Sequence, residues 1–268
     1  MTKLFFSDKE IAEIIDMYLN QQMSLKKIGN ILHCSRSPIK RILLENDIKL
    51  RKRTHTYKAN YRVFQKIDSE EKAYWLGFLA ADGNIMRYQT KATISINLGR
   101  KDRGHLEKFK AFLESDAPIV DHIQNAGFSN DSLMSKISIH SVDMADDLID
   151  KNVVPNKSLI LQPPNIHEDF FIPYIRGYFD GDGSLHESNG SWRINFEGTE
   201  EMLKWINMVL DFQVSKLTQR YPSHKNSYTM VAGGYNKVVR ITNTIYKDAN
   251  IFLDRKYEKY LLLLKSRS

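Results

Sequence analysis

The sequence predicts an α+β protein: two copies of one αββαββα unit, preceded by a small all-α segment. Three observations carry this. Residues 75–83, WLGFLAADG, are echoed at 175–183 as IRGYFDGDG. Within each following stretch the apolar spacing switches between a helical period and the alternation of a half-buried strand. Ahead of the first copy, residues 1–66 open with apolar residues at helical spacing and hold the whole positive excess of the chain. At 268 residues, 42% of them hydrophobic, the chain can bury a real core in one large or two modest domains.

Charge distribution narrows the partners. Thirty-nine Lys and Arg oppose thirty-two Asp and Glu, a net of +7. Residues 1–66 hold fourteen against six, and the remainder twenty-five against twenty-six, so the excess sits at one end and points to a polyanion. No run of eighteen apolar residues exists and the start is polar, so neither a membrane span nor a secretory leader is expected. Cys34 stands alone, without a disulfide or zinc partner, and suits a reducing intracellular setting, cytoplasmic or organellar.

The N-terminal helices come first. Ser7 followed by Glu10 reads as a helix start, with Ile11, Ile14, Ile15 and Tyr18 at helical spacing. Ser24 starts a second helix with Leu25, Ile28, Ile31 and Leu32 on one stripe, and a third runs from about Arg36 to Glu45, its Pro38 tolerable in the first turn. This layout over residues 1–48 is that of a helix-turn-helix, and residues 24–48 resemble such regions of resolvases and transposases. The resemblance implies a third helix in the major groove, with Arg36, Ser37, Lys40 and Arg41 at bases and phosphates. Residues 49–67 read as a basic linker, with Arg51, Lys52 and Arg53 free to follow the DNA backbone.

The repeat accounts for the rest. Gly77, Asp82 and Gly83 recur as Gly177, Asp182 and Gly183, and residues 94–113 parallel 192–210. Lys157 in the first copy falls opposite Lys256 in the second. The copies are placed at 68–161 and 162–268. In copy one a helix capped by Asp68 or Ser69 runs to Gly83, a strand follows over Thr90–Leu98, and a helix over Lys101–Leu113. Strands near Ile119–Gln124 and Leu133–His140 and a helix from Val142 complete it. Copy two offers strands near Trp192–Phe196, Lys216–Tyr221 and Tyr228–Ala232, with helices at Thr199–Leu210, Lys237–Ala249 and Arg255–Lys265.

The two motifs invite close helix packing. Gly77 and Ala81, like Gly177 and Gly181, lie four residues apart, so small faces can bring two helices below the usual separation of about 8–10 Å. Asp82 and Asp182 then fall side by side at the helix C-termini, where a carboxylate is unfavourable by roughly 0.3–1 kcal/mol. Gly83 and Gly183 are expected to end the helices in a left-handed conformation. A divalent cation between the carboxylates relieves their repulsion, and oxygen donors point to Mg²⁺. An EF-hand counted from Asp180 fails, since Leu185 and Ser191 stand where Gly and Glu are required.

Taken together, the motifs and repeats over roughly 68–264 resemble the LAGLIDADG homing endonucleases in their single-chain, two-motif form. The resemblance implies two pseudo-symmetric repeats packed through the motif helices and saddle-shaped antiparallel sheets. It implies site-specific double-strand cleavage of DNA, with catalytic Asp82, Asp182, Lys157 and Lys256 and short 3′ overhangs. Metal would be held by both aspartates, by the backbone at Ala81 and Gly181, and by DNA phosphates, with Mn²⁺ or Ca²⁺ able to replace Mg²⁺ for binding. On the sheets, Lys91, Thr93, Ser95, Asn97, Lys136, Ser138 and His140 in copy one are expected to face DNA. Arg193, Asn195, Glu197, Lys216, Thr218 and Arg220 are their counterparts in copy two, all of types that read base edges. Strands of about nine residues span ~30 Å, so two sheets cover roughly 18 base pairs. A monomer is expected, one chain supplying both halves. A DNA-binding regulator or an RNA-binding intron maturase on the same fold remain alternatives, while an intein is not expected without its terminal Cys or Ser and His–Asn.

Overall fold

A computed structural model of the chain describes residues 6–21, 23–50, 57–126, 129–214, 216–219 and 226–266. The chain divides into two compact units, one over residues 1–55 and one over 56–268.

In the first unit, α1 (Asp8–Leu19) starts on a capping box in which the Ser7 hydroxyl takes the Glu10 N–H and the Glu10 carboxylate takes the Ser7 N–H. Helix α2 (Leu25–Ile31) is capped by Ser24, and α3 is Arg36–Glu45. Ile14, Met17, Tyr18, Ile28, Ile39, Ile42 and Leu43 form its core. The approach of α2 to the next turn requires Gly29, where a Cβ would lie 2.6 Å from the Cys34 carbonyl oxygen.

The second unit opens with a departure from expectation. Residues 57–67, read as the end of a linker, lie on the core: Val63, Phe64 and Ile67 are buried. The Asn60 N–H donates to the Leu113 carbonyl at 2.8 Å, and the Asp116 N–H to the Lys58 carbonyl at 3.2 Å. Three apolar residues in a basic stretch carry no clear period, which is why the sequence hid this anchor.

Each repeat then follows the expected order. In the first, α4 (Glu70–Ala81) leads to β1 (Gly83–Tyr88), β2 (Lys91–Gly99), a 3₁₀ turn over Arg100–Asp102, α5 (Arg103–Phe112), β3 (Val120–Ala126), β4 (Ser129–Ile139) and α6 (Val142–Asp150). The second gives α7 (Phe171–Asp182), β5 (Gly183–Ser188), β6 (Ser191–Gly198), α8 (Glu200–Val209), β7 (Thr218–Gln219), β8 (Tyr228–Gly233), α9 (Tyr235–Tyr246) and α10 (Asp254–Lys265). Each repeat has one antiparallel four-stranded sheet, in the orders β1-β2-β4-β3 and β5-β6-β8-β7. Alternate residues of β2 and β6 point inward, so Ala92, Ile94, Ile96 and Leu98, and Trp192, Ile194 and Phe196, cover the helices. Buried residues of both repeats join in a single core.

Gly83 and Gly183 are not left-handed terminators. Both open strands, Gly183 at φ −94° and ψ 168°, and neither has a positive φ. Space is what they provide: a Cβ on Gly83 would lie 2.8 Å from Leu79 Cα, and one on Gly183 would enter the Phe179 ring. The first sheet strand of each repeat therefore springs directly from the motif helix.

Candidate functional site

Helices α4 and α7 meet through their backbones. A Cβ on Gly77 would overlap the Tyr174 carbonyl, and one on Gly177 the Tyr74 carbonyl. At the C-terminal end, a Cβ on Gly181 would overlap that of Ala81 and lie 3.4 Å from the Asp82 carboxyl carbon. This contact brings the motif carboxylates together. Burial raises the Asp82 pKa, against the charges of Lys256 and Lys157. Asp182 keeps an exposed surface while protein crowds its other sides. That desolvation, then the charge of Asp82, lifts its pKa to about 6.

Both lysines arrive from the repeat ends. Lys157, on a 3₁₀ turn over Lys157–Leu159, donates to the Gly83 carbonyl. Lys256, in the first turn of α10, is buried and donates to the Gly183 carbonyl at 2.6 Å, to that of Gly181 at 3.4 Å, and to that of Phe179. The pairing of Lys157 with Gly83 and of Lys256 with Gly183 repeats the internal symmetry. Burial draws both lysine pKa values down, that of Lys256 to about 8, while the nearby carboxylates resist. A cavity of about 480 Å³ lies beside Asp182 and is lined by Lys157, Tyr178, Glu197, Thr199 and Ser227.

The halves are not identical. Asp180 is fully buried and takes hydrogen bonds from the Tyr74 and Tyr246 hydroxyls and the Leu253 N–H. Its counterpart in the first motif is Ala80. Near Asp82, Arg255 of the second repeat donates its Nε to both oxygens of Asp102 in the first, at 3.0 and 2.9 Å. The second half instead has Glu197 close enough to raise the Asp182 pKa slightly further. The sixth motif letter, Ala80 against Asp180, was the available signal.

On the sheets, Lys91, His140, Arg193 and Thr218 are exposed, and Thr93, Asn97, Lys136, Ser138, Asn195 and Glu197 half-buried. Ser95 departs from expectation: only 4% of its surface remains, between Asn84 of β1 and Ser138 of β4, so it presents nothing to a ligand. Thr93 Oγ1 lies 3.0 Å from His140 Nδ1, and the Asn97 amide donates to Gln124 at 3.1 Å. Lys216 is exposed just before β7, which starts at Thr218 rather than at the expected Lys216, while the expected end at Tyr221 lies outside the described residues. Arg36, Ser37 and Lys40 are exposed on α3, and Arg41 faces Glu45 at 3.7 Å. Arg51, Lys52, Arg53 and Arg220 lie outside the described residues.

Two repeats, each with a four-stranded sheet, joined backbone to backbone by glycine-bearing motif helices, decide the architecture. The core is LAGLIDADG-like in fold.

The chain matches no family model. It is 28% identical over 170 residues to a DNA polymerase of Acanthamoeba polyphaga mimivirus, covering 60% of this chain and 10% of that protein. The chain thus spans about a tenth of that relative. Solved structures similar to this chain include the meganuclease I-SmaMI bound to uncleavable DNA. Identity there is 15%, the TM-score 0.48, and coverage 74% of this chain and 90% of that one. The homing endonuclease I-GzeII with its DNA target is 12% identical at TM-score 0.48, covering 73% and 89%. Full-length WhiA of Thermatoga maritima is 13% identical at TM-score 0.46, covering 78% and 66%. At such identities and scores they fix neither activity nor target.

Proposed function

We propose that the chain is a DNA endonuclease that hydrolyses one phosphodiester bond in each strand of a long specific site. The juxtaposition of Asp82 and Asp182 carries this reading. Two carboxylates driven together at helix C-termini, both with raised pKa values, are costly unless a cation or a proton joins them. Their oxygens suit Mg²⁺, and Mn²⁺ or Ca²⁺ could take its place for binding. Among the described residues no group of three or more His, Cys, Asp and Glu could hold a metal without further ligands. Phosphate oxygens, water, and the Ala81 and Gly181 carbonyls are the natural complement. When bound, the metal lowers the pKa of a coordinated water and stabilises the departing oxygen.

The chain's own groups do the remainder. Asp82 and Asp182 would hold the metal. Lys157 and Lys256, pinned to the strand-opening glycine carbonyls, bring positive charge to a phosphate whose charge grows in the transition state. Water oxygen bonds to phosphorus as the P–O3′ bond breaks, leaving a 3′ hydroxyl and a 5′ phosphate. Cuts across the minor groove would leave short 3′ overhangs. The polar rows of β2, β4, β6 and β7, exposed or half-buried apart from Ser95, supply the base-reading surface. The three-helix unit acts as a helix-turn-helix, α3 placing Arg36, Ser37, Lys40 and Arg41 on DNA flanking a core of roughly 18 base pairs.

The test is incubation with genomic or random DNA followed by end mapping, with Mg²⁺ and with EDTA. Cleavage at one recurrent site with Mg²⁺ alone is the expected result. Tight, specific binding with intact DNA under both conditions overturns it in favour of a regulator, for which the three-helix unit provides a second reason.

A further inference from the structure

The buried carboxylate of Asp180 has no place in the proposed chemistry, and charge is expensive to bury without partners. Each of its bonds goes to a different part of the chain. Oδ2 takes the Tyr74 hydroxyl of α4 at 2.7 Å and the Leu253 N–H at 2.7 Å; Oδ1 takes the Tyr246 hydroxyl of α9 at 2.5 Å. Leu253 is the N-cap of α10, and its carbonyl receives the N–H of Lys256 at 2.9 Å and of Tyr257 at 3.1 Å. The turn from which Lys256 projects is thus seated on Asp180. Just upstream, buried Arg176 donates to the Ile251 carbonyl at 3.3 Å and to Glu70 at 2.6 Å, and Glu70 receives the Asn250 N–H at 3.3 Å. Residues 250–253 are held from both motif helices.

The first repeat shows what is missing without such a group. Tyr174 is the counterpart of Tyr74, as Ala80 is of Asp180, and the fully buried Tyr174 hydroxyl has no hydrogen-bond partner among the described residues. Lys157 correspondingly stands on a single 3₁₀ turn after a left-handed Asn156.

We propose that Asp180 is a positioning residue that sets Lys256 against the Phe179, Gly181 and Gly183 carbonyls through the first turn of α10, a device present in one half of the site only. It rests on the endonuclease reading for its consequence in cleavage, not for its geometry. The test therefore has two readouts on the full chain, using Asp180→Asn and the milder Tyr246→Phe.

The first readout is trace acylation of lysines by an N-hydroxysuccinimide ester, read by mass spectrometry without DNA. Lys256 should react at least five-fold faster in both variants, with Lys157 unchanged. Unchanged Lys256 labelling, or a joint rise at both lysines, overturns the proposal, the latter marking general loosening. The second is single-turnover cleavage. Asp180→Asn should slow it at least ten-fold with DNA affinity kept, and add nothing in a Lys256→Ala background. Independent, multiplying losses overturn the proposal. A wild type that cuts no DNA refutes the endonuclease reading, and the labelling then decides the positioning alone.

Discussion

Single atoms distinguish the two halves of this molecule. Tyr74 and Tyr174 are counterparts, both fully buried, yet one hydroxyl reaches Asp180 and the other has no partner among the described residues. Hydrogen bonds to a charged acceptor contribute about 1.5–3 kcal/mol, while an unsatisfied buried donor costs about 1–3 kcal/mol. Tyr74→Phe should therefore lower unfolding free energy by about 2 kcal/mol in a denaturant titration, and Tyr174→Phe should leave it unchanged or raise it. Equal losses in the two variants would mean that Tyr174 has a partner after all. The identities of Asp82, Asp182, Lys157 and Lys256 were legible because a repeat doubles every signal. Asp180 was not, since a motif reading weighs agreement between copies, and here the information lay in the disagreement with Ala80.

Among the elements, the motif helices are the most constrained. A side chain at Gly77 or Gly177 meets a backbone carbonyl of the opposite helix, which cannot rotate away as a side chain could. Overpacking generally costs about 1–3 kcal/mol, and the upper end or beyond applies here. Gly77→Ala and Gly177→Ala should each destabilise by about 3 kcal/mol or abolish folding. By contrast, Gly104→Ala, on an exposed turn of α5 with open space around it, should stabilise by roughly 0.5–1 kcal/mol. Comparable small losses at all three would contradict the backbone-to-backbone interface. Most helices were readable from caps and apolar stripes: Ser7, Ser24, Ser69 and Thr199 each cap where a serine or threonine precedes the period. Strands β1 and β5 were harder to place, since only Ile85 and Leu185 among their residues are buried hydrophobics and little alternation results. The burial of Ser95 has a similar cause, because period alone assigns a face and not whether neighbouring strands close over it.

For the whole molecule, the division into two units, with residues 57–67 packed on the larger, sets where the chain can be cut. A chain shortened to begin at residue 56 keeps Val63, Phe64 and Ile67 and should fold and cut the same central sequence. It lacks most of the net +8 carried by residues 1–66. If about four of the lost cations contact phosphate, the log–log salt slope of binding becomes shallower by roughly 3.6. Protection of base pairs on one flank should also disappear from the footprint, as there is one such unit per chain. Identical slopes and footprints would show that the three-helix unit does not touch DNA. No helix among the described residues is long and apolar enough to cross a membrane.

The proposed chemistry turns on the paired aspartates, and a strand-resolved cleavage assay of Asp82→Asn and Asp182→Asn on the mapped target addresses them most directly. Both side chains hold metal in the proposed mechanism and neither contacts a base. Each variant should lose double-strand cleavage with Mg²⁺ while site affinity stays within about ten-fold, roughly 1.4 kcal/mol. Cleavage of both strands at the wild-type rate by either variant would contradict the central claim.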